Sequence, residues 1–297
     1  MATDEYVAGR DAGSCEPDRT FVTRPRPPIY TCFHNATLVL PGGLAGRHSV
    51  LIAGERIVWV GPDGTHAMPS GTRTIDVGGL LLGPGFVDLH CHGGGGVWMH
   101  DDAVSAAEHH LRHGTTAVLA TTLLYPTHEE TVRKVAWVAD QIRSGDTRTV
   151  VGIHMEGPYL NPAHGAYREL SRPVVAEEYL EIAEAGQGQL RWMTIAPELP
   201  GIEQMVVDLQ TATGGRMTFS VGHSSASRAQ IRSLVPAGLR MATHLMNATG
   251  CAVDPPAFAG TREVGVDEVV LISDDIVAEL IADRDGRHVR PELLELA

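Results

Sequence analysis

The chain has 297 residues, a formal net charge of −13 and 43% hydrophobic residues, enough to bury one large domain or a large one beside a small one. The acidic balance argues against a nucleic-acid or anionic-membrane partner, and no apolar run approaches the length needed to span a bilayer. The amino terminus is polar and acidic, with no apolar core segment, so it is not read as a secretory signal. Cys15, Cys32, Cys91 and Cys251 form no Cys-x-x-Cys pair, which predicts reduced thiols and a cytoplasmic location.

In chain order, residues 1–30 are rich in Pro, Arg and Asp without periodicity, and predict a disordered extension. Residues 31–82 carry short β-rich runs at 37–40, 49–52 and 57–60 between Gly, Pro and Asp, which fits a small antiparallel domain. From residue 83 onward the texture is strand, polar loop, helix, repeated. Strands are predicted at 85–91, 116–122, 150–155, 191–196, 217–222, 240–245 and 276–282, and helices at 101–113, 128–143, 175–186, 201–213 and 225–235. Such alternation without hairpin signals points to a parallel β/α barrel, in which active-site residues gather at the carboxyl ends of the strands.

The polar residues fall where that rule places them. Pro84-Gly85-Phe86-Val87-Asp88-Leu89-His90-Cys91-His92 reads as a strand ending in His-x-His. Alternate residues share a face, so His90 and His92 present two imidazoles together, while Cys91 faces the other way as a packed thiol. Glu156 follows the third strand, His223 ends the fifth and His244 the sixth. Any one of these would be unremarkable as a buried, satisfied side chain. Five of them gathered at the carboxyl ends of four strands predict a metal site.

These strings together (PGFVDLHCHGG, GIHMEGPYL, Ala196-Pro197-Glu198, VGHSSA, ATHLMNA and ELIADRDGRHV) resemble the amidohydrolase superfamily and, within it, the N-acetylglucosamine-6-phosphate deacetylases. The resemblance implies an α/β fold, a TIM-like (β/α) barrel of the metal-dependent hydrolases beside a small β-sandwich. It also implies hydrolysis of the acetamide of an amino-sugar phosphate to the free amine and acetate. Glu156, His223 and His244 become the ligands of a main divalent ion, and His90 and His92 would hold a second. Zinc leads among the metals, with iron, manganese and cobalt also suited to such ligands. Asn247, the backbone at Ala248 and His288 are assigned to the substrate, Glu198 to a structural role, and the assembly to a homodimer.

Three departures stand against this pattern. Tyr167 replaces a substrate-contacting His of the family, and His164 lies nearby but out of register. Asp254 stands where the family brings an arginine to the phosphate, and an acid there would repel that group. The Thr-Asp-Ala string that supplies the family's general base does not occur among the 297 residues, and only seven barrel strands are predicted. The small sandwich is likewise expected to be partial. Asp274 is a weak substitute for that base, since it precedes the seventh strand. Impaired activity is therefore expected, because a positioned base is worth roughly 10²–10⁴ in rate. Two other readings stay open: a non-catalytic protein that keeps the metal or sugar site, and an amidohydrolase for an unphosphorylated N-acyl substrate.

Overall fold

A computed structural model describes residues 28–166, 168–250, 258–261 and 263–297. The expectations for Tyr167, Asp254 and residues 1–27 of the extension lie outside the described residues. The chain divides into two compact units at Pro84/Gly85.

The described part of the first unit is a five-stranded sheet, one layer of the expected sandwich. Strands β1 (Tyr30–Leu40), β2 (Gly43–Ala53) and β3 (Arg56–Pro62) form an antiparallel meander. β1 buries Cys32, Ala36 and Leu38 at positions of one parity, and β2 buries Val50 and Leu51 in succession. β4 (Arg73–Asp76) and β5 (Leu81–Leu82) then pair with β1 in parallel, so the sheet is mixed rather than purely antiparallel.

The second unit opens with β6 (Phe86–Cys91), a short hairpin β7 (Gly93–Gly94) and β8 (Val97–Trp98), and helix α1 (Ala103–Leu111). There follow β9 (Thr115–Thr122), α2 (His128–Ser144), β10 (Val150–Glu156), α3 (Ala176–Ala185), β11 (Leu190–Ile195) and α4 (Ile202–Thr213). The remainder is β12 (Thr218–Val221), α5 (Arg228–Leu234), β13 (Leu239–Ala242), α6 (Val266–Leu271), β14 (Val277–Ala278) and α7 (Pro291–Leu294). Seven strands pair in parallel in the order β14-β13-β12-β11-β10-β9-β6, a curled sheet of the barrel type.

The helices start where local chemistry sets them. Thr127 caps α2 by accepting a hydrogen bond from the Glu130 amide, two acids fill its first turn, and Gly145 closes it at φ 80°. Ser227 and Gln230 form a reciprocal capping box at α5. The inner strands bury residues on both faces, among them Val118, Ile153, Met193, Phe219 and Val221, which ties the sheet to its covering helices.

Three expectations change. The glycine run after His92 folds into the β7–β8 hairpin, because Gly95 and Gly96 supply the positive φ a tight turn needs. Helices α6 and α7 were not expected. The strand expected over 276–282 is regular only at Val277–Ala278. Its partner β13 ends at Ala242, and the backbone beyond turns to φ 31° at His244, so the ladder runs out. Among the described residues no helix is long and apolar enough to cross a membrane.

Candidate metal centre

The parallel sheet delivers its carboxyl ends to one place, and five expected side chains meet there. Glu156 divides its two oxygens between two pairs of histidines. Oε1 lies 2.9 Å from Nε2 of His223 and 2.9 Å from Nε2 of His244. Oε2 lies 3.0 Å from Nε2 of His92 and 3.5 Å from Nε2 of His90. Within each pair the rings approach Nε2 to Nε2, at 3.1 Å in both cases.

Two ring nitrogens that close share no proton usefully if both carry one. Around a tetrahedral ion with bonds of about 2.1 Å, however, neighbouring ligand atoms stand about 3.4 Å apart. The observed spacings are therefore close to the edges of a coordination shell. The donor set also fits: imidazole nitrogens and a carboxylate oxygen converge in two groups, Glu156/His223/His244 and His90/His92/Glu156, with the carboxylate common to both.

Outer contacts fix the ring orientations. Nδ1–H of His90 donates to Glu279 Oε2 at 3.0 Å, and Nδ1–H of His244 to the Asn247 carbonyl at 3.3 Å, so each Nε2 keeps its lone pair for the centre. The loop after β10 closes over His223, and Gly165 (φ 81°) lies so near that a Cβ there would stand 2.2 Å from Nδ1. Backbone strain gathers at the same place. His223 (φ 48°), His244 (φ 31°), Met246 (φ 67°) and Ala248 (φ 54°) all hold left-handed conformations that side chains disfavour.

The electrostatics follow from burial against pairing. Burial alone would raise the Glu156 carboxyl, but hydrogen bonds from the surrounding rings outweigh it and hold the group well below its ordinary value. For His90 burial pulls down, while the Glu156 and Glu279 carboxylates together push it up to about 10. In the metal-free chain a proton thus occupies the position a cation would take.

Glu279 is the residue that sequence reasoning missed. Its Oε2 accepts from both His90 Nδ1 and the His244 amide, so one carboxylate braces ligands from both groups. Reading 276–282 as strand put Glu279 mid-strand. It actually follows the last residue of β14, where the strand-end rule that selected the others would have selected it too.

The remaining candidates sort by position. Asn247 Nδ2 donates to the His288 carbonyl at 2.8 Å, so these two come together at the rim. Asp283 holds His288 through Nδ1 at 3.0 Å, which leaves Nε2 for another partner. The Ala248 carbonyl accepts from the Ser224 amide at 3.3 Å, and the His164 ring pairs with the Ser225 hydroxyl near His223. Glu198 accepts from Asn161, Ser224 and Ser225, a structural brace as expected. Asp274 is corrected: it sits on an exposed turn before β14, at the amino end of a strand whose carboxyl end faces the centre.

Beneath the centre lies a second polar layer. His154, buried and held neutral by desolvation and by nearby His90, bonds Thr194 Oγ1 at 2.9 Å and the Leu89 carbonyl at 3.1 Å. Thr194, Ser220 and Thr243 close a ring of hydroxyls below it. The Leu89 contact anchors β6 one residue before His90.

No protein-family model matches the chain. Among curated proteins it is 32% identical over 225 residues to an N-acetylgalactosamine-6-phosphate deacetylase of Escherichia coli O157:H7, covering 73% of this chain and 56% of that protein. It is 31% identical over 248 residues to the N-acetylglucosamine-6-phosphate deacetylase of Haemophilus influenzae, covering 81% of this chain and 60% of that protein. The chain thus spans a little over half the length of the curated relatives it matches. Among solved structures it is similar to the N-acetyl-D-glucosamine-6-phosphate deacetylase of Mycobacterium smegmatis, with 30% identity, a TM-score of 0.73 and coverage of 90% of this chain and 67% of that one. A variant of that enzyme has also been solved in complex with N-acetyl-D-glucosamine 6-phosphate.

Proposed function

The chain belongs to the N-acetylglucosamine-6-phosphate deacetylase family of amidohydrolases, and on that premise we propose that it hydrolyses the N-acetyl group of an amino-sugar 6-phosphate, releasing acetate and the free amine. The observation that carries the reading is the shared Glu156 carboxylate, with a histidine pair on each oxygen. Glu156, His223 and His244 would hold the main divalent ion, with zinc first among the candidates, and His90 and His92 a second. Such an ion, when bound, polarises an amide carbonyl and lowers the pKa of a coordinated water.

The chain's own residues do the rest. Glu279 and the Asn247 carbonyl keep His90 and His244 in the tautomer with Nε2 free. Asp283 orients His288, whose Nε2 is the ring atom offered to the substrate, and the left-handed turn through Ala248 presents backbone beside it. His164 and Tyr167 belong to the substrate side by their place in the sequence, and a cytoplasmic homodimer completes the reading.

Acetate release by the purified, zinc-loaded chain tests this. The substrates are N-acetylglucosamine 6-phosphate, its galactosamine epimer and unphosphorylated N-acetylglucosamine, with His244→Ala as the blank. Turnover of a phosphorylated sugar above the blank supports the proposal. Turnover of the plain sugar alone would move it to the unphosphorylated class that Asp254 favours. No turnover with metal bound would leave a site that binds without catalysing.

A further inference from the structure

Beside the metal centre is a cavity of about 650 Å³, lined by His90, His92, the four glycines that follow and Trp98. The glycines leave one wall bare. Trp98 is the large apolar side chain among the lining residues, and the residue is 50% exposed. An indole left this open beside polar ligands loses burial that a core position would supply.

The backbone that carries the ring is also held firmly. The Trp98 backbone pairs with Gly93 in the hairpin, and its carbonyl accepts hydrogen bonds from the amides of Asp101 and Asp102 at the entry to α1. The hairpin itself is close-packed: a Cβ on Gly93 would stand 2.3 Å from the Val97 carbonyl, and one on Gly94 2.7 Å from His110 Nε2. Behind the indole, His100 stacks at 5.7 Å and 18°, and the Tyr125 ring meets His100 edge-on at 5.5 Å. His100 is 9% exposed, and its Nδ1 finds no hydrogen-bond partner among the described residues. Nδ1 of His92, which lines the cavity, is likewise buried without a hydrogen-bond partner among the described residues.

We propose that Trp98, backed by His100, is the platform on which the pyranose ring of the substrate stacks, and so a specificity-determining residue of the site. A pyranose has an apolar C–H face and a polar rim, and an indole has an apolar face with an N–H at its edge. The platform lines the same cavity as the His90/His92 pair, so a ring seated on it lies beside the imidazoles that would hold the second ion and share Glu156 with the first. This rests on the amino-sugar reading given above.

The test uses the full zinc-loaded chain labelled with 5-fluorotryptophan, whose four indoles give four fluorine resonances, with Trp98→Phe assigning the relevant one. Glucosamine 6-phosphate, which keeps the ring but lacks the amide, should shift the Trp98 resonance; acetate and inorganic phosphate should not. Trp98→Ala should weaken sugar binding roughly tenfold, the worth of one aromatic contact, and Trp98→Phe should recover part of it. An unmoved resonance at saturating sugar, or an unchanged Kd in Trp98→Ala, overturns the proposal even if acetate is released. A shifted resonance without acetate release would keep the platform and reject the deacetylase reading.

Discussion

Strand β6 carries metal-binding residue types on both faces, and the two sets spend their protons differently. Asp88 pairs with Val118 and Cys91 with Ala120, three residues against two, so a bulge separates the two sets. On the inner side His90 and His92 turn toward Glu156. On the outer side Asp88 and Cys91 meet His110, which lies on the stripe of α1 that also buries Ala103, Ala106 and Ala107. Both groups have donor atoms within reach of one another. The difference is satisfaction. His110 Nε2 donates to the Gly93 carbonyl at 3.0 Å, and the Cys91 thiol points to the same oxygen at 3.4 Å. Burial, with the charge of Asp88, pushes that thiol up to about 11, so it stays protonated and a poor ligand. Inside, the carboxylate is ionised and four imidazole nitrogens surround it. Residue type nominates a site; how its protons are spent decides it.

The strongest way to break the comparison is Glu156→Gln. The amide cannot serve both histidine pairs as an anion, so metal content should fall to near zero and any acetate release by more than about 10³-fold, since the carboxylate and the ion's chemistry go together. Elemental analysis of the purified variant checks the first claim independently of activity. Splitting the centre is next: His244→Ala should remove the main ion, and His92→Ala should leave one ion bound. If both variants lose all metal, the two groups are one site.

A smaller effect is expected at Glu279. Truncation to Ala should cost roughly 10–100-fold in metal affinity, the usual worth of a carboxylate that orients a ligating histidine. Glu279→Gln should restore most of it, because its amide oxygen still accepts from His90 Nδ1 and the His244 amide. Equal losses in both variants would mean that the charge matters rather than the orientation.

How much of this was legible beforehand follows from which signals are local. Strand-end histidines were, because a period-two strand and its terminus are written in adjacent residues. The five candidate ligands came from that rule, and the structure brings all five together. Glu279 was not legible, because the end of β14 is set by where its neighbour β13 stops, and that depends on the strained turn at His244. The β7–β8 hairpin escaped notice because four glycines signal freedom without saying which turn they make. The His154 layer escaped because a buried histidine looks the same in sequence whether it binds a metal or braces a strand. Asp274 was nominated by likeness to a string, and chain direction places it at the wrong end of its strand.

Protonation offers a gentler probe. In the metal-free chain the His90 value is raised above its unfolded value of 6.5 to about 10. Its stabilising contribution is therefore fully present below pH 6.5 and lost as pH rises through about 10. Glu156 is depressed, so its contribution is present above pH 4.5 and lost as pH falls below that. Thermal midpoints in chelator should decline toward both ends of the range. Saturating zinc should flatten the alkaline limb, since the ion replaces the His90 proton. An alkaline limb that is the same with and without zinc would place the ion away from His90.

The smallest effect is the one that sharpens the comparison most. Cys91→Ala removes the outer thiol while leaving the His110 bond to Gly93 intact. The lost atom is one buried sulfur, so the cost should be about 1 kcal/mol, a fall of roughly 2–4 °C in Tm for a domain of this size. Metal stoichiometry should not change at all. Cys91 lies between two ligands in sequence, so any loss of metal could be blamed on a disturbed β6. Asp88→Asn separates these cases, because it alters the outer group from the other side of the bulge while keeping the acceptor for the His90 amide. If both variants hold the wild-type metal content, the outer group is helix packing. If both lose one equivalent while His90→Ala loses a different one, the outer face binds a metal after all and satisfaction by hydrogen bonds is not the criterion.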